Sequence, residues 1–333
     1  MNQEDRKKVF WLLKKNSSYT AWKVLGDAYA EFTTAFEYAV ANSRNVSGEL
    51  DQEEFDEFIE WNIDHLKTVL DGAVAFEKGL ASLKKGERSV FRRTGFLRRA
   101  AEAVVFVDQI MDPQEYVFDW MPNKNDVLRS VQTIRAKIGG LFLVNELDEN
   151  DDIAPLGWGS AFDSSNGPFN FPAQLSDVPK ISSLTILTGD QISVAGIWEP
   201  SYEKLTSEAQ ISTLLPGEPG CMNYFVAGVS APKYQDRSGT AALHVAWHLV
   251  WTDHRYEDGV IPIEESEYIA TEIESNTHPL QANLRTFPGE PCPKTGEWMV
   301  GHTPRTARRF TKGEIMPELN LATGATIWMF VGD

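Results

Sequence analysis

The ten residues 189–198 read GDQISVAGIW, and the ten residues 289–298 read GEPCPKTGEW. Each stretch opens with Gly and an acid, has a second Gly seven residues after the first, and reaches Trp two residues later. Gly supplies the backbone freedom that tight turns need, and Trp can fill the core of a small sheet. The shared spacing predicts a weak internal repeat, in which two turns lead into a strand opened by a core Trp.

Short apolar segments around these stretches predict antiparallel β structure throughout the second half of the chain. Clusters of Gly, Pro, Asn and Asp separate the segments, which is typical of antiparallel sheets. The predicted strands are residues 183–187, 193–198, 224–229, 242–251 and 326–331.

The first half of the chain has a different periodicity, with apolar residues three or four positions apart, as on one face of a helix. One predicted helix begins at Asp51, where Glu54 completes a pattern like a capping box, and another ends before Pro113. The predicted helices cover residues 22–40, 51–70, 89–110 and 125–141. Four long helices joined by shorter pieces favour a helical bundle.

The acidic segment 146–152, ELDENDD, marks the change between the two patterns. We therefore expect an α+β protein. Its predicted parts are a helical bundle domain at 1–148 and a Trp- and Gly-rich antiparallel β domain at 153–333.

The charge of the chain restricts its partners. The 333 residues carry a net charge of −17, of which −5 falls in residues 1–150 and −12 in the remainder. A nucleic-acid-binding protein needs a basic surface, so this balance argues against that class and favours a basic protein partner. No apolar run approaches the ~18 residues of a membrane span. Cys221 and Cys292 form no disulfide framework, and we expect the chain in the cytoplasm.

No motif for catalysis, a metal or a cofactor stands out. His244 and His248 are four apart in a predicted strand, which would place them about 13 Å apart, too far for one metal ion. Asp253 and His254 could belong to a hydrolytic triad, but the sequence lacks a nucleophile elbow of the form G-x-S-x-G. The nearest approach, residues 157–160, is predicted to be a Gly-rich loop. The chain also has no P-loop. We therefore expect no catalytic residues, no metal and no cofactor, and Cys221 and Cys292 lie in turns without a nearby His.

One basic cluster and three acidic clusters remain as candidate contact residues. The basic cluster predicts a solvated helix face, and the alternatives are contact with nucleic acid or with an acidic patch on the partner. It comprises Lys84, Lys85, Arg88, Arg92, Arg93, Arg98 and Arg99. The acidic clusters are either ordinary helix-start and linker residues or a surface that enters a positively charged cleft of the partner. Their members are Glu49, Asp51, Glu53, Glu54, Asp56 and Glu57; Glu146, Asp148, Glu149, Asp151 and Asp152; and Glu264, Glu265 and Glu267.

The C-terminal residues carry a resemblance to a known group of families. After residues 289–298 come Arg308-Arg309-Phe310, then 312–317, KGEIMP, and finally 324–328, GATIW. This order resembles the polymorphic-toxin immunity protein families 71 and 72, found beside toxins of type VI secretion. Its specific part covers about the last fifty residues, and Glu297 stands where family members often carry Trp.

The resemblance implies a non-enzymatic immunity protein whose partner is a cognate secreted toxin. We expect this protein to be cytoplasmic and to bind neither nucleic acid nor a membrane. The resemblance suggests a toxin of restriction-endonuclease type, inhibited one to one by occlusion of its active site, and it supplies no catalytic residues. Two alternatives stay open: a hydrolase-like enzyme, and an adaptor or chaperone that loads an effector for secretion.

Overall fold

The computed structural model describes residues 2–42, 52–110, 123–138, 154, 171–201, 220–235, 242–270, 285–286, 288–300, 307–319 and 328–332. Within them the first half of the chain is helical and the second half contains antiparallel sheets, which confirms the predicted α+β class. The helices are α1 (Gln3–Asn16), α2 (Tyr19–Asn42), α3 (Gln52–Leu83), α4 (Phe96–Ile110), α5 (Lys124–Ile138) and the short α6 (Glu267–Ala270).

Helix α1 was not among the predicted helices, because its buried residues do not form a stripe. Five consecutive residues, 9–13, are buried, so apolar side chains surround the helix instead of recurring every third or fourth position. Asn2 caps its first turn by accepting a hydrogen bond of 2.8 Å from the N–H of Asp5.

The prediction of one continuous helix over 89–110 is wrong at its start. A single 3-10 turn, Arg88–Phe91, is followed by extended backbone at Arg92, and α4 begins only at Phe96. The carbonyl of Val90 lies so close to Gly95 that a Cβ there would overlap it, so the chain turns sharply at this glycine. The last three residues of the helix predicted at 125–141 lie outside the described residues.

Ten strands occur in the described part of the chain. They are β1 (Thr185–Leu187), β2 (Gly196–Ser201), β3 (Asn223–Phe225), β4 (Tyr234–Gln235), β5 (Ala242–Leu243), β6 (Ala246–Thr252), β7 (Arg285–Thr286), β8 (Gly296–Val300), β9 (Arg308–Phe310) and β10 (Trp328–Gly332). The first four-stranded sheet has the order β1-β6-β2-β3, and the second has the order β7-β10-β8-β9. If the strands of each sheet are counted along the chain within that sheet, both sheets have the order 1-4-2-3. The weak repeat in the sequence therefore corresponds to two copies of one sheet.

Equivalent hydrogen bonds confirm that the two sheets are copies. The indole N–H of Trp247 donates to the carbonyl of Pro232 at 2.8 Å, and that of Trp328 donates to Pro317 at 2.8 Å. Both indoles are fully buried. A Phe ring lies edge-on to each indole, with centroids 4.7 and 4.8 Å apart, and these rings belong to Phe225 and Phe310.

The chain divides into two compact units, each of which contains helical and β segments. The first comprises Met1–Leu25, Ala75–Ala101 and Lys137–Thr277 and holds the first sheet. The second comprises Gly26–Val74, Glu102–Ala136 and His278–Asp333 and holds the second sheet. The predicted linker at 146–152 lies outside the described residues, and the predicted domain boundary there stays a prediction.

Two glycines of the first repeat provide a test of this packing. Gly189 has a φ of +93° with open space around it, whereas a Cβ on Gly196 would overlap the backbone carbonyl oxygen of Trp251. Gly189→Ala should therefore cost only backbone strain, about 1–2 kcal/mol. Gly196→Ala should cost roughly 3 kcal/mol or more, because a paired strand must move. Urea unfolding of both variants measures the difference, and equal losses would contradict this packing.

Candidate functional site

The structure describes the side-chain environment of one of the three acidic clusters. In the first cluster, Glu49 and Asp51 lie outside the described residues, and Glu53, Glu54, Asp56 and Glu57 lie in the first two turns of α3. The second cluster, Glu146, Asp148, Glu149, Asp151 and Asp152, lies outside the described residues entirely. The third, Glu264, Glu265 and Glu267, begins in a 3-10 turn and continues into α6.

The three acids of this third cluster have different environments. Glu267 is exposed, and the Glu264 side chain is 43% exposed and pairs with Lys14 Nζ at 2.9 Å. Glu265 is fully buried. Its carboxylate accepts hydrogen bonds from the backbone N–H of Thr20, at 3.0 Å, and from the hydroxyl of Tyr256. Glu265 therefore has a structural role inside the protein, whereas the charges of Glu264 and Glu267 lie at the surface.

A second buried carboxylate, Asp253, lies between two arginines. Arg88 Nη2 donates to it at 2.8 Å, and Arg255 donates through Nε at 2.8 Å and Nη2 at 2.7 Å. The hydroxyl of Tyr224 donates at 2.8 Å. Both oxygens of the carboxylate thus have donors, which a buried charge requires in order to be stable.

Arg255 continues this network into the N-terminal helix. Its guanidinium donates to the carbonyl of Lys14 at 2.9 Å and to the hydroxyl of Ser17 at 2.7 Å, where α1 ends. It also lies over the ring of Trp251, 5.0 Å from the centroid. On the same helix, Arg6 forms a two-point contact with the buried carboxylate of Glu199, at 2.7 and 2.8 Å. Residues of α1 are therefore bonded to β2 and to the chain that follows β6.

The ionisation of these groups follows from their surroundings. Burial would raise the pKa of Asp253, but the hydrogen bonds and charges of Arg255 and Arg88 outweigh it and hold that pKa below the ordinary value. Burial and the adjacent Asp253 charge raise the pKa of Tyr224 well above its ordinary value. Burial likewise raises the pKa of Tyr256. Asp253 is therefore ionised and both tyrosines are neutral hydrogen-bond donors at neutral pH.

The expectation that the basic cluster forms a solvated helix face is wrong for Arg88. This side chain is only 7% exposed and serves Asp253 and the carbonyl of Arg255. Arg92 is partly buried and donates to the carbonyl of Ala227. Sequence reasoning missed both roles, although the apolar pair Val90 and Phe91 between the arginines was a signal of burial.

An exposed loop follows directly after this network. Its large apolar side chains are Val260, 61% exposed, Ile261, 36% exposed, and Ile263, 92% exposed. We call these three residues the apolar tip. Four acids flank them, and we call these the acidic rim: Glu257, Asp258, Glu264 and Glu267, of which Glu264 is half-buried and the others are exposed.

One arrangement has the form of a hydrolytic site. His248 Nε2 lies 2.6 Å from the hydroxyl oxygen of Ser201, and its Nδ1 lies 2.9 Å from that of Thr185. In a catalytic triad the third residue is a carboxylate that stabilises the imidazolium. Here that place is taken by the hydroxyl of Thr185, which carries no negative charge. Asp253 contacts arginines, and His254 pairs instead with Glu257 at 2.8 Å.

Within the described residues, no group of three or more His, Cys, Asp or Glu could hold a metal ion. No described helix combines the length and the apolar composition that a membrane span requires.

Comparison with known proteins gives two family matches. Residues 1–111 match the family described as Immunity protein 71, and residues 177–269 match the family described as Immunity protein 72. No curated protein and no solved structure matches the chain. Asp253, Arg255 and Glu265 lie in the second matched segment, and their partners Lys14, Ser17, Thr20 and Arg88 lie in the first.

Replacing Asp253 tests the network. Asp253→Asn keeps the shape but removes the carboxylate that pairs with the buried Arg88, and it leaves Arg255 with only the more distant pairing of its Nη1 with Glu265 at 3.7 Å. This loss should cost about 3–5 kcal/mol of unfolding free energy. Asp177→Asn is the matched control, because that Asp is exposed and pairs with Lys7 at the surface, so its loss should change stability little.

The same variant has a pH signature. A carboxyl with a lowered folded pKa contributes stability above the unfolded pKa of about 3.9, and this contribution is lost as the pH falls through the folded value. The difference between wild type and Asp253→Asn should therefore be constant above about pH 5 and shrink below about pH 4. Urea unfolding at several pH values measures it, and a difference independent of pH down to 3 would contradict an ionised Asp253.

Proposed function

We propose that this chain, which resembles immunity protein families 71 and 72 in two segments, neutralises a cognate toxin by binding it. The observation that supports this most is that both matched segments contribute to one buried network. Arg88 and Ser17 come from the first segment, and Asp253 and Arg255 come from the second. The two segments therefore act as parts of one folded protein.

We further propose that the toxin is a nuclease delivered by type VI secretion and that the inhibitor acts in the cytoplasm. A nuclease must attract phosphates, so its active-site cleft carries positive charge. This chain has the opposite charge, −17 in total, and an acidic rim on an exposed loop. Opposite charges steer two proteins together and raise the rate of association.

Inhibition by binding needs no chemistry from the inhibitor. A surface that occupies the cleft excludes the nucleic acid, and each inhibitor molecule then protects against one toxin molecule. The acidic clusters at Glu49–Glu57, Glu146–Asp152 and Glu264–Glu267 remain the proposed contact residues, with the exception that Glu265 has its carboxylate inside the protein.

The hydrolase-like alternative is favoured by one observation, the contact of His248 with Ser201. An enzyme that modified the toxin or its product would protect at low ratios of protein to toxin. An effector-loading adaptor would instead bind the toxin without reducing its activity.

A titration distinguishes these functions. The toxin encoded beside the gene for this chain is purified, and its activity on DNA or RNA is measured against increasing amounts of the chain. Inhibition should be complete at about one chain per toxin and should form a complex on a sizing column. Because the encounter is electrostatic, the association rate should fall about tenfold or more between low and high salt.

Ser201→Ala serves as the control variant, and it should inhibit as well as the wild type. Full protection at a small fraction of the toxin concentration, lost in Ser201→Ala, would replace inhibition by an enzymatic function. A stable complex with undiminished nuclease activity would indicate an adaptor.

A further inference from the structure

The apolar tip is unusual because large aliphatic side chains next to one another in the sequence face solvent. Ile263 is 92% exposed and Val260 is 61% exposed, within four residues of each other. Soluble proteins expose scattered apolar residues routinely, but adjacent ones rimmed by polar groups mark contact surfaces. Pro262, between Ile261 and Ile263, also restricts the backbone there.

The loop that carries the tip is closed at its base by buried groups. The hydroxyl of Tyr256, before the loop, donates to the carboxylate of Glu265, after it. The backbone N–H of Gly259 donates to the carbonyl of Tyr256 at 2.9 Å, and that of Glu265 donates to Pro262 at 3.0 Å. Because the loop is already ordered, it loses little conformational entropy when a partner binds it.

The surroundings of the tip define the chemistry of its partner. Residues 257–267 contain five acids and no Lys, Arg or His. Glu257, Asp258 and Glu267 face solvent, and Lys14 pairs with Glu264 at the base. The complementary surface is an apolar depression bordered by basic side chains, which matches the positively charged cleft region of a nucleic-acid-cleaving toxin.

We infer that the exposed loop at 257–264, together with the adjacent Glu267, is the toxin-contact surface of this chain, with the apolar tip inserted into the toxin and the acidic rim pairing with its basic residues. The inference rests on the proposed function and adds to it the location of the interface. Buried apolar anchors control how slowly a complex dissociates, and rim charges control how fast it forms.

Two pairs of variants test the surface against a catalytically inactive form of the toxin encoded beside this chain. Ile263→Asp places a charge in the tip, and Ile315→Asp is its control at another strongly exposed Ile. Ile263→Asp should weaken binding at least 100-fold, mostly through faster dissociation, and the control should stay within about threefold of wild type.

The second pair tests the rim. The rim variant combines Glu257→Lys and Glu267→Lys. Its control combines Glu297→Lys and Glu318→Lys, which change the net charge by the same amount at exposed acids elsewhere. The rim pair should slow association about tenfold at low salt, and the control should slow it about twofold. Unchanged urea midpoints show that each variant is folded.

The outcomes separate the two proposals. If the wild-type chain neither binds nor inhibits the toxin, the proposed function fails. If wild type inhibits but both loop variants bind as well as their controls, the loop is not the interface and the inference is overturned. If Ile263→Asp abolishes self-association of the chain and leaves toxin binding unchanged, the loop forms contacts between copies of the chain. That result would also overturn the inference.

Discussion

The ion cluster around Asp253 is the constraint on which the first compact unit depends. A buried carboxylate is tolerated only when donors surround it, and these donors come from residues far apart in sequence. Arg88 follows α3, Tyr224 lies in β3, and Arg255 lies beyond β6 and reaches the end of α1. Because removing a partner leaves a buried charge or hydrogen-bonding group without its match, the cluster stabilises the arrangement in which all of these elements are in place.

The buried contacts of the first unit also fix the position of the exposed loop. Glu265 turns inward to Tyr256 and Thr20, and this contact closes the base of the exposed loop at 257–264. The loop then holds Ile263 and the acidic rim away from the core. The structural role of the buried acid and the proposed binding role of the exposed ones therefore belong to neighbours in the chain, and an ordered loop lowers the entropy cost of binding.

Sequence reasoning succeeded where the signal is local. The stripes of α2 and α3 and the glycine spacing of the two sheets predicted these elements, because helical period and turn chemistry depend on few neighbours. It missed the pairing of Arg88 with Asp253, 165 residues apart, and it could not separate buried Glu265 from Glu264. The resemblance rested on C-terminal residues that lie outside both family matches. The second sheet, which those residues form, repeats the topology of the first sheet, which lies in the matched segment 177–269.

Hydrogen exchange tests most directly whether the network joins helices and sheet into one cooperative unit. The amides of Tyr19 and Thr20 donate to Tyr256 and Glu265. The amides of Leu249 and Asp253 donate to the carbonyls of Leu184 and Ala195, the residues that directly precede β1 and β2 of the first sheet. All four should exchange with the same opening free energy and the same dependence on denaturant. Exchange of Tyr19 and Thr20 through a lower-energy opening, while the sheet amides stay protected, would contradict this account.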